Sequence, residues 1–232
     1  MSVFLLLVFY KYFIERSDKM QLYLSSYRLG NNTDFLKNWY DNTKKVLVIP
    51  NAVDGFPDGE RKNVGIIDKC KELEKIGFET EILDLRKYFS KEKELKNYVK
   101  NYNCFYVIGG NTFILRQAMK LSGFDNFLIE NKNNPNYLYI GFSAGICVLA
   151  NDLHGINLAD EPEKDPYNQG NILWDGVGLI DYMPIPHYDT PSHPESHLMY
   201  DVVKYMIENN LPYKTLHDGD VIIENLNLKR IK

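Results

Sequence analysis

Short, fully apolar runs recur along the chain. The clearest are Lys45-Val-Leu-Val-Ile49, Cys104-Phe-Tyr-Val-Ile108 and Tyr137-Leu-Tyr-Ile140, with weaker runs at 21–25 and 79–83. Their length and lack of alternation predict strands buried on both faces. Between them the apolar spacing changes to three and four. Ile66, Ile67, Cys70, Leu73 and Ile76 form such a stripe, closed by Gly77 where a helix C-cap glycine belongs. Further helices are predicted around 33–40, 112–120, 124–131 and 195–209, and a charged helix with little apolar face over 91–100. Strands alternating with helices imply an α/β fold with a mostly parallel sheet covered on both sides. Near the carboxyl end, 214–216 and 221–224 read as a strand pair astride the turn His217-Asp-Gly-Asp220. The section 151–178 is the long irregular one, and loops of that length are more often functional than idle.

Composition narrows the class. The chain has 232 residues, 44% of them apolar and 25% charged, as in ordinary globular proteins. A formal charge of −4 offers no electrostatic case for nucleic acid. Three dispersed cysteines, Cys70, Cys104 and Cys147, lie in apolar stretches and read as buried, reduced thiols of a cytoplasmic protein. Residues 2–10 are strongly apolar but too short to span a bilayer, which takes roughly 20 residues. Residues 1–19 are read as an extension, or as the product of an over-called start codon, ahead of one domain over 20–232. A weak membrane anchor is the alternative for them; no membrane partner is expected.

The candidate chemistry centres on Gly141-Phe-Ser-Ala-Gly145, which follows the run at 137–140 and opens a helix-forming stretch. In a strand-to-helix turn of this pattern, Ser143 is lifted out at the carboxyl end of the sheet. Glycines on either side tolerate the strained angles and the close approach of neighbouring chain. A serine hydroxyl needs a base, and five histidines are available. His187 follows a strand-like segment and lies in the proline-restricted stretch Pro184-Ile-Pro-His-Tyr188. His193 and His197 are spaced to share a helix face as metal ligands, but no third ligand stands at a usual zinc spacing, so no metal is assigned. Asp160 and Asp218 are both placed to support the histidine, and spacing does not choose between them. Gly109-Gly110-Asn111-Thr112 lacks the lysine and the spacing of a nucleotide loop. It fits better as part of an oxyanion hole, with one N–H from this turn and one from Ala144, and with Asn111 at hand for substrate.

Taken in order, Val107-Ile-Gly-Gly-Asn-Thr-Phe113, Gly141-Phe-Ser-Ala-Gly145, Asp160-Glu-Pro162, Gly176-Val-Gly-Leu-Ile180 and Pro186-His-Tyr188 resemble the peptidase E family of Asp-specific serine dipeptidases. The resemblance runs from Met20 almost to the carboxyl end. It implies a three-layer α/β/α sandwich of the class I glutamine amidotransferase type, no cofactor, a short peptide as substrate and a homodimer. By the same resemblance Ser143 is the nucleophile, His187 the base, Asp160 and Asp218 the two carboxylates, and Gly110 and Ala144 the oxyanion donors. The chain departs from the pattern after the histidine. Glu195-Ser-His-Leu-Met-Tyr-Asp201 has no arginine for an aspartyl side chain, leaving His197 as the substrate-binding candidate there. Cyanophycinase, an aspartyl-polymer hydrolase, is a related alternative. From a different class comes a non-hydrolytic protein that binds a carboxylate or phosphate at the Gly110 turn.

Overall fold

The computed structural model describes residues 12–16, 18–39 and 44–230. In chain order the first half forms β1 (Tyr12–Arg16), β2 (Gln21–Ser25), α1 (Thr33–Asn38), β3 (Lys45–Ile49), α2 (Glu60–Glu74), β4 (Glu79–Ile82), α3 (Glu92–Val99) and β5 (Cys104–Val107). The second half adds α4 (Thr112–Ser122), α5 (Phe124–Glu130), β6 (Leu138–Phe142), α6 (Ala144–Cys147), β7 (Met183–Ile185), α7 (Ser196–Glu208), β8 (Tyr213–Thr215), β9 (Val221–Glu224) and β10 (Leu226–Arg230). Six strands make the central sheet in the order β4-β3-β5-β6-β2-β9. All neighbours in it are parallel except β9, which runs antiparallel to β2. Most of the apolar amino terminus, residues 1–11, lies outside the described residues; Tyr12–Arg16 pair antiparallel with Leu226–Arg230.

Successive strand residues point to opposite faces, and both faces here are covered. Leu22, Leu47, Phe105, Val107 and Tyr139 pack on one side with α3 to α7. Tyr23, Val48, Tyr106, Leu138 and Ile140 pack on the other with Leu36 of α1 and Cys70 and Leu73 of α2. This is the three-layer sandwich the apolar runs imply, and it explains why they do not alternate. Two details differ from the sequence reading. The charged helix α3 buries both Leu95 and Val99, so its narrow apolar edge suffices to dock it. In α2, Ile67 faces solvent.

A larger correction concerns the carboxyl end. The segments 214–216 and 221–224 do not pair with each other. Instead β8 pairs in parallel with β7, Met183 facing Tyr213 and Ile185 facing Thr215. Strand β9 joins the main sheet, Val221 facing Ser25. The turn 217–220 therefore connects two sheets. It is closed by Asp220, whose N–H donates to His217 O (2.9 Å) and whose carboxylate accepts the His217 N–H (2.8 Å). No helix among the described residues is long and apolar enough to cross a membrane.

The long section after α6 is pinned by one buried side chain. Arg116 of α4 donates Nη1 to Asp125 (2.9 Å), Nη2 to the Asp175 carboxylate (2.7 Å) and Nε to the Asp175 carbonyl (2.7 Å). Arg116 and Asp125 are both almost fully buried. Removing one partner of such a pair strands the other charge in a low-dielectric interior. Arg116→Ala is expected to lose about 3–5 kcal/mol in urea unfolding; a loss within the range of an ordinary surface substitution would contradict this role.

Candidate active site

Five strand ends build the site: those of β2, β5 and β6 in the main sheet, and those of β7 and β8 beside it. Ser143 sits directly after β6, before the first turn of α6, with φ 50 and ψ −121. A non-glycine residue at positive φ is strained, and such strain persists only where its surroundings impose it. The neighbours show what imposes it. A side chain on Gly109 would come within 2.8 Å of Ser143 Cβ, and one on Gly145 would collide with the carbonyl of Val107. The turn is wedged against the end of β5, and it fits only because both positions lack a Cβ.

His187 follows β7 and is buried, again at positive φ (58°). The β7–β8 pairing carries past both strands: Leu216 N–H donates to Ile185 O (2.9 Å) and Tyr188 N–H to Leu216 O (3.0 Å). That ladder sets His187 beside the turn holding Asp218. Its Nδ1–H donates to Asp218 Oδ1 at 2.6 Å, which leaves Nε2 as an acceptor. Burial holds the imidazole below its ordinary value, and the Asp218 hydrogen bond opposes that shift. The imidazole is thus favoured in its neutral form, the form able to accept a proton.

Ser26, just after β2, is a residue without a signal in the sequence pattern. Its buried hydroxyl accepts the His187 backbone N–H (2.8 Å) and donates to Asp218 Oδ1 (2.9 Å). Thr190 Oγ1 adds a bond from the Asp218 N–H (3.0 Å). Tyr27, also unmarked in the sequence, lies edge-on to Phe142 (6.4 Å) and to His187 (6.0 Å), and so spans from the serine strand to the imidazole. Cys147 closes the arrangement from behind, its thiol on the Pro184 carbonyl at 3.4 Å. No hydrogen bond joins Ser143 to His187 among the described residues; in unliganded hydrolases this contact is often loose and tightens on substrate.

Of the two carboxylates, Asp218 is the one at the histidine. Asp160 lies elsewhere: its Oδ2 accepts the Thr112 N–H (2.8 Å) at the start of α4. Desolvation, opposed by hydrogen bonding from the Thr112 N–H, raises its pKa to about 6. Asn111, expected near substrate, has its side chain committed to the same helix end. Its Oδ1 accepts the N–H groups of Phe113 (2.9 Å) and Ile114 (3.0 Å), and its Nδ2 donates to Glu161 O (3.0 Å). These bonds cap α4 and hold the turn. The Gly110 N–H is left free of this capping, and Ala144, first residue of α6, has no intrahelical carbonyl within reach. His197 is exposed and turned back to the Pro194 carbonyl (2.9 Å). It shares no helix face with His193, because α7 begins only at Ser196. Pro194 disfavours helical geometry at the residue before it.

A cleft of about 630 Å³ adjoins the Ser143 turn. Its walls are apolar, with Phe56, Ile66, Ile108 and Phe142 among them, and Arg61, Lys62 and Lys69 of α2 line it too. Lys62 pairs with Asp54 and Asp58, whereas Arg61 and Lys69 form no ion pair among the described residues.

The raised pKa of Asp160 has a consequence for stability. As pH rises from about 4, the unfolded chain ionises this group first. The contribution of Asp160 therefore falls until about pH 6, where the folded form ionises as well, and is level above that. Asp160→Asn keeps an acceptor for Thr112 but removes the titration. Its melting temperature relative to the parent is expected to climb between pH 4 and pH 7; a difference that shrinks over that range would contradict the assignment.

Comparison with known proteins agrees with this architecture. An uncharacterized peptidase of Listeria monocytogenes is 32% identical over 125 residues, which is 54% of this chain and 58% of the relative. One from Listeria innocua is 36% identical over 84 residues, covering 36% and 38%. The chain thus aligns with less than two thirds of the length of these relatives. A crystal structure of a peptidase E candidate from Listeria monocytogenes superposes with a TM-score of 0.68 at 24% identity, over 92% of this chain and all of that one. A peptidase from an acI-B1 actinobacterium gives 0.64 at 16% identity, over 90% and 85%; both establish the shared fold. The model of peptidase family S51 matches residues 25–224, from the end of β2 to the end of β9, and this chain belongs to that family.

Proposed function

We propose that the protein is a serine exopeptidase that hydrolyses short peptides, preferring an amino-terminal Asp, through an acyl-enzyme on Ser143. The observation that carries this reading is the strained Ser143 turn set at the same end of the sheet as buried His187 and its partly buried partner Asp218. Ser143 Oγ attacks the scissile carbonyl while His187 Nε2 takes its proton. Asp218 holds the imidazole tautomer and stabilises the imidazolium. The oxyanion is held by the N–H groups of Gly110 and Ala144, each such donor being worth about 3 kcal/mol in the transition state. Collapse expels the amine, which takes the proton back from His187, and water then releases the acyl group by the same route in reverse. Three buried free cysteines suit the reducing cytoplasm, where we place the reaction.

The acidic preference rests on charge. No arginine follows His187, but Arg61 and Lys69 line the cleft beside Gly109 without ion-pair partners among the described residues. A carboxylate side chain on the acyl residue would reach them across an apolar wall, where screening is weak.

Dipeptide panels of Asp-X, Glu-X and Leu-X test this. Ser143→Ala is expected to reduce hydrolysis to background, and Asp218→Asn to lower kcat by about 10⁴-fold. In the parent, the acid limb of kcat/KM should fall below the ordinary imidazole value of 6.5. Hydrolysis by Ser143→Ala at the parent rate would sink the proposal, and equal rates on Asp-X and Leu-X would sink the acidic preference.

A further inference from the structure

The catalytic imidazole has an unusual neighbour. The ring of His193 lies flat against that of His187, with centroids 3.6 Å apart and planes within 1°. Tyr27 meets both rings edge-on, at 6.0 Å and 5.7 Å. Glu195, two residues further on, is exposed and joins them: His187, His193 and Glu195 each offer one ligand atom, all within 4.8 Å of one another. Nδ1 of His187 is held by Asp218, so its open donor is Nε2, the atom that must accept the serine proton. Among the described residues, Nδ1 of His193 is engaged only by the Glu195 N–H, at 3.3 Å.

We propose that His187, His193 and Glu195 form a binding site for a transition-metal dication of the zinc class, and that its occupancy switches the peptidase off. Two imidazoles and one carboxylate are a donor set that Zn²⁺ takes readily, with a fourth position left to water. Metal–ligand distances near 2.1 Å place the donors of a tetrahedral site roughly 3.4 Å apart. The three groups therefore have to close by at most about 1.4 Å. His193 has also to turn out of its stack on His187, because imidazole lone pairs lie in the ring planes and these planes are parallel. His193 and Glu195 lie in the turn before α7, outside regular structure, where a change of that size is local. Asp218 completes the arrangement, because a carboxylate on the far nitrogen of a ligating histidine orients the ring and raises its basicity. The charges of Asp218 and Glu195 together offset the dication. Binding occupies the His187 lone pair, so no base remains for Ser143. The site itself stands on geometry alone; the inhibition rests on the serine-peptidase reading above.

Calorimetric titration of the chelator-treated full chain with ZnCl₂ tests the site without reference to activity, alongside zinc titration of Asp-X hydrolysis. The parent and Ser143→Ala, which keeps all three donors, are expected to bind a single equivalent. His193→Ala and Glu195→Gln should each weaken that binding roughly tenfold or more, and should shift zinc inhibition of hydrolysis by the same factor. Absence of one-equivalent binding in the parent, or binding unchanged in both variants, overturns the site. Binding that shifts as stated while zinc leaves hydrolysis intact overturns the switch. A parent without peptidase activity would instead fail the reading of Ser143, while the calorimetry still decides the site.

Discussion

One buried hydroxyl holds the chemistry of this protein together. Ser26 directly follows β2, the strand between β6 and β9, and its oxygen is shared between the backbone of His187 and the carboxylate of Asp218. Those two residues come from different segments, one following β7 and the other following β8. Neither strand belongs to the main sheet. The β7–β8 ribbon packs against α6, with the Cys147 thiol on the Pro184 carbonyl, and the tether from Ser26 adds a direct bond to both His187 and Asp218. The left-handed backbone at His187 shows how tightly that position is determined. Positive φ is uncommon for a residue with a side chain, and here the His187 N–H is bonded to Ser26 and the next N–H, of Tyr188, to Leu216.

Constraint on the other side comes from absence of side chains. Gly109 and Gly145 let the end of β5 and the first turn of α6 close on Ser143. Asn111 and Asp160 satisfy the first N–H groups of α4 in the same region. Capping of this kind commits the first N–H groups of α4 and does not engage the Gly110 N–H. The result is a rigid half, built of glycine contacts and a capped helix, opposite a histidine half hung from Ser26.

Much of this was legible in the sequence, for reasons that are local. The glycine spacing around Ser143 and the apolar runs at 45–49, 104–108 and 137–140 act through nearest neighbours, so pattern alone revealed the elbow and the sheet. The choice between Asp160 and Asp218 was not legible, because it depends on which strands pair. Only once β8 lies beside β7, and not beside β9, does the 217–220 turn meet His187. Ser26 was invisible for the same reason: its partners are 161 and 192 residues away. His193 was misjudged by one helical boundary. Pro194 keeps it out of α7, which turned an imagined helix-face pair with His197 into a stack on His187.

The central claim is that Ser143 is a nucleophile activated by His187 held through Asp218. Labelling with a fluorophosphonate, followed by peptide mapping, reads that state directly and needs no knowledge of the substrate. The account predicts a single adduct on Ser143, formed far more slowly in Asp218→Asn. It also predicts a labelling rate that declines with acid only below the usual imidazole range, because burial keeps His187 neutral. An unlabelled Ser143 in the folded parent, or labelling indifferent to Asp218, would contradict it.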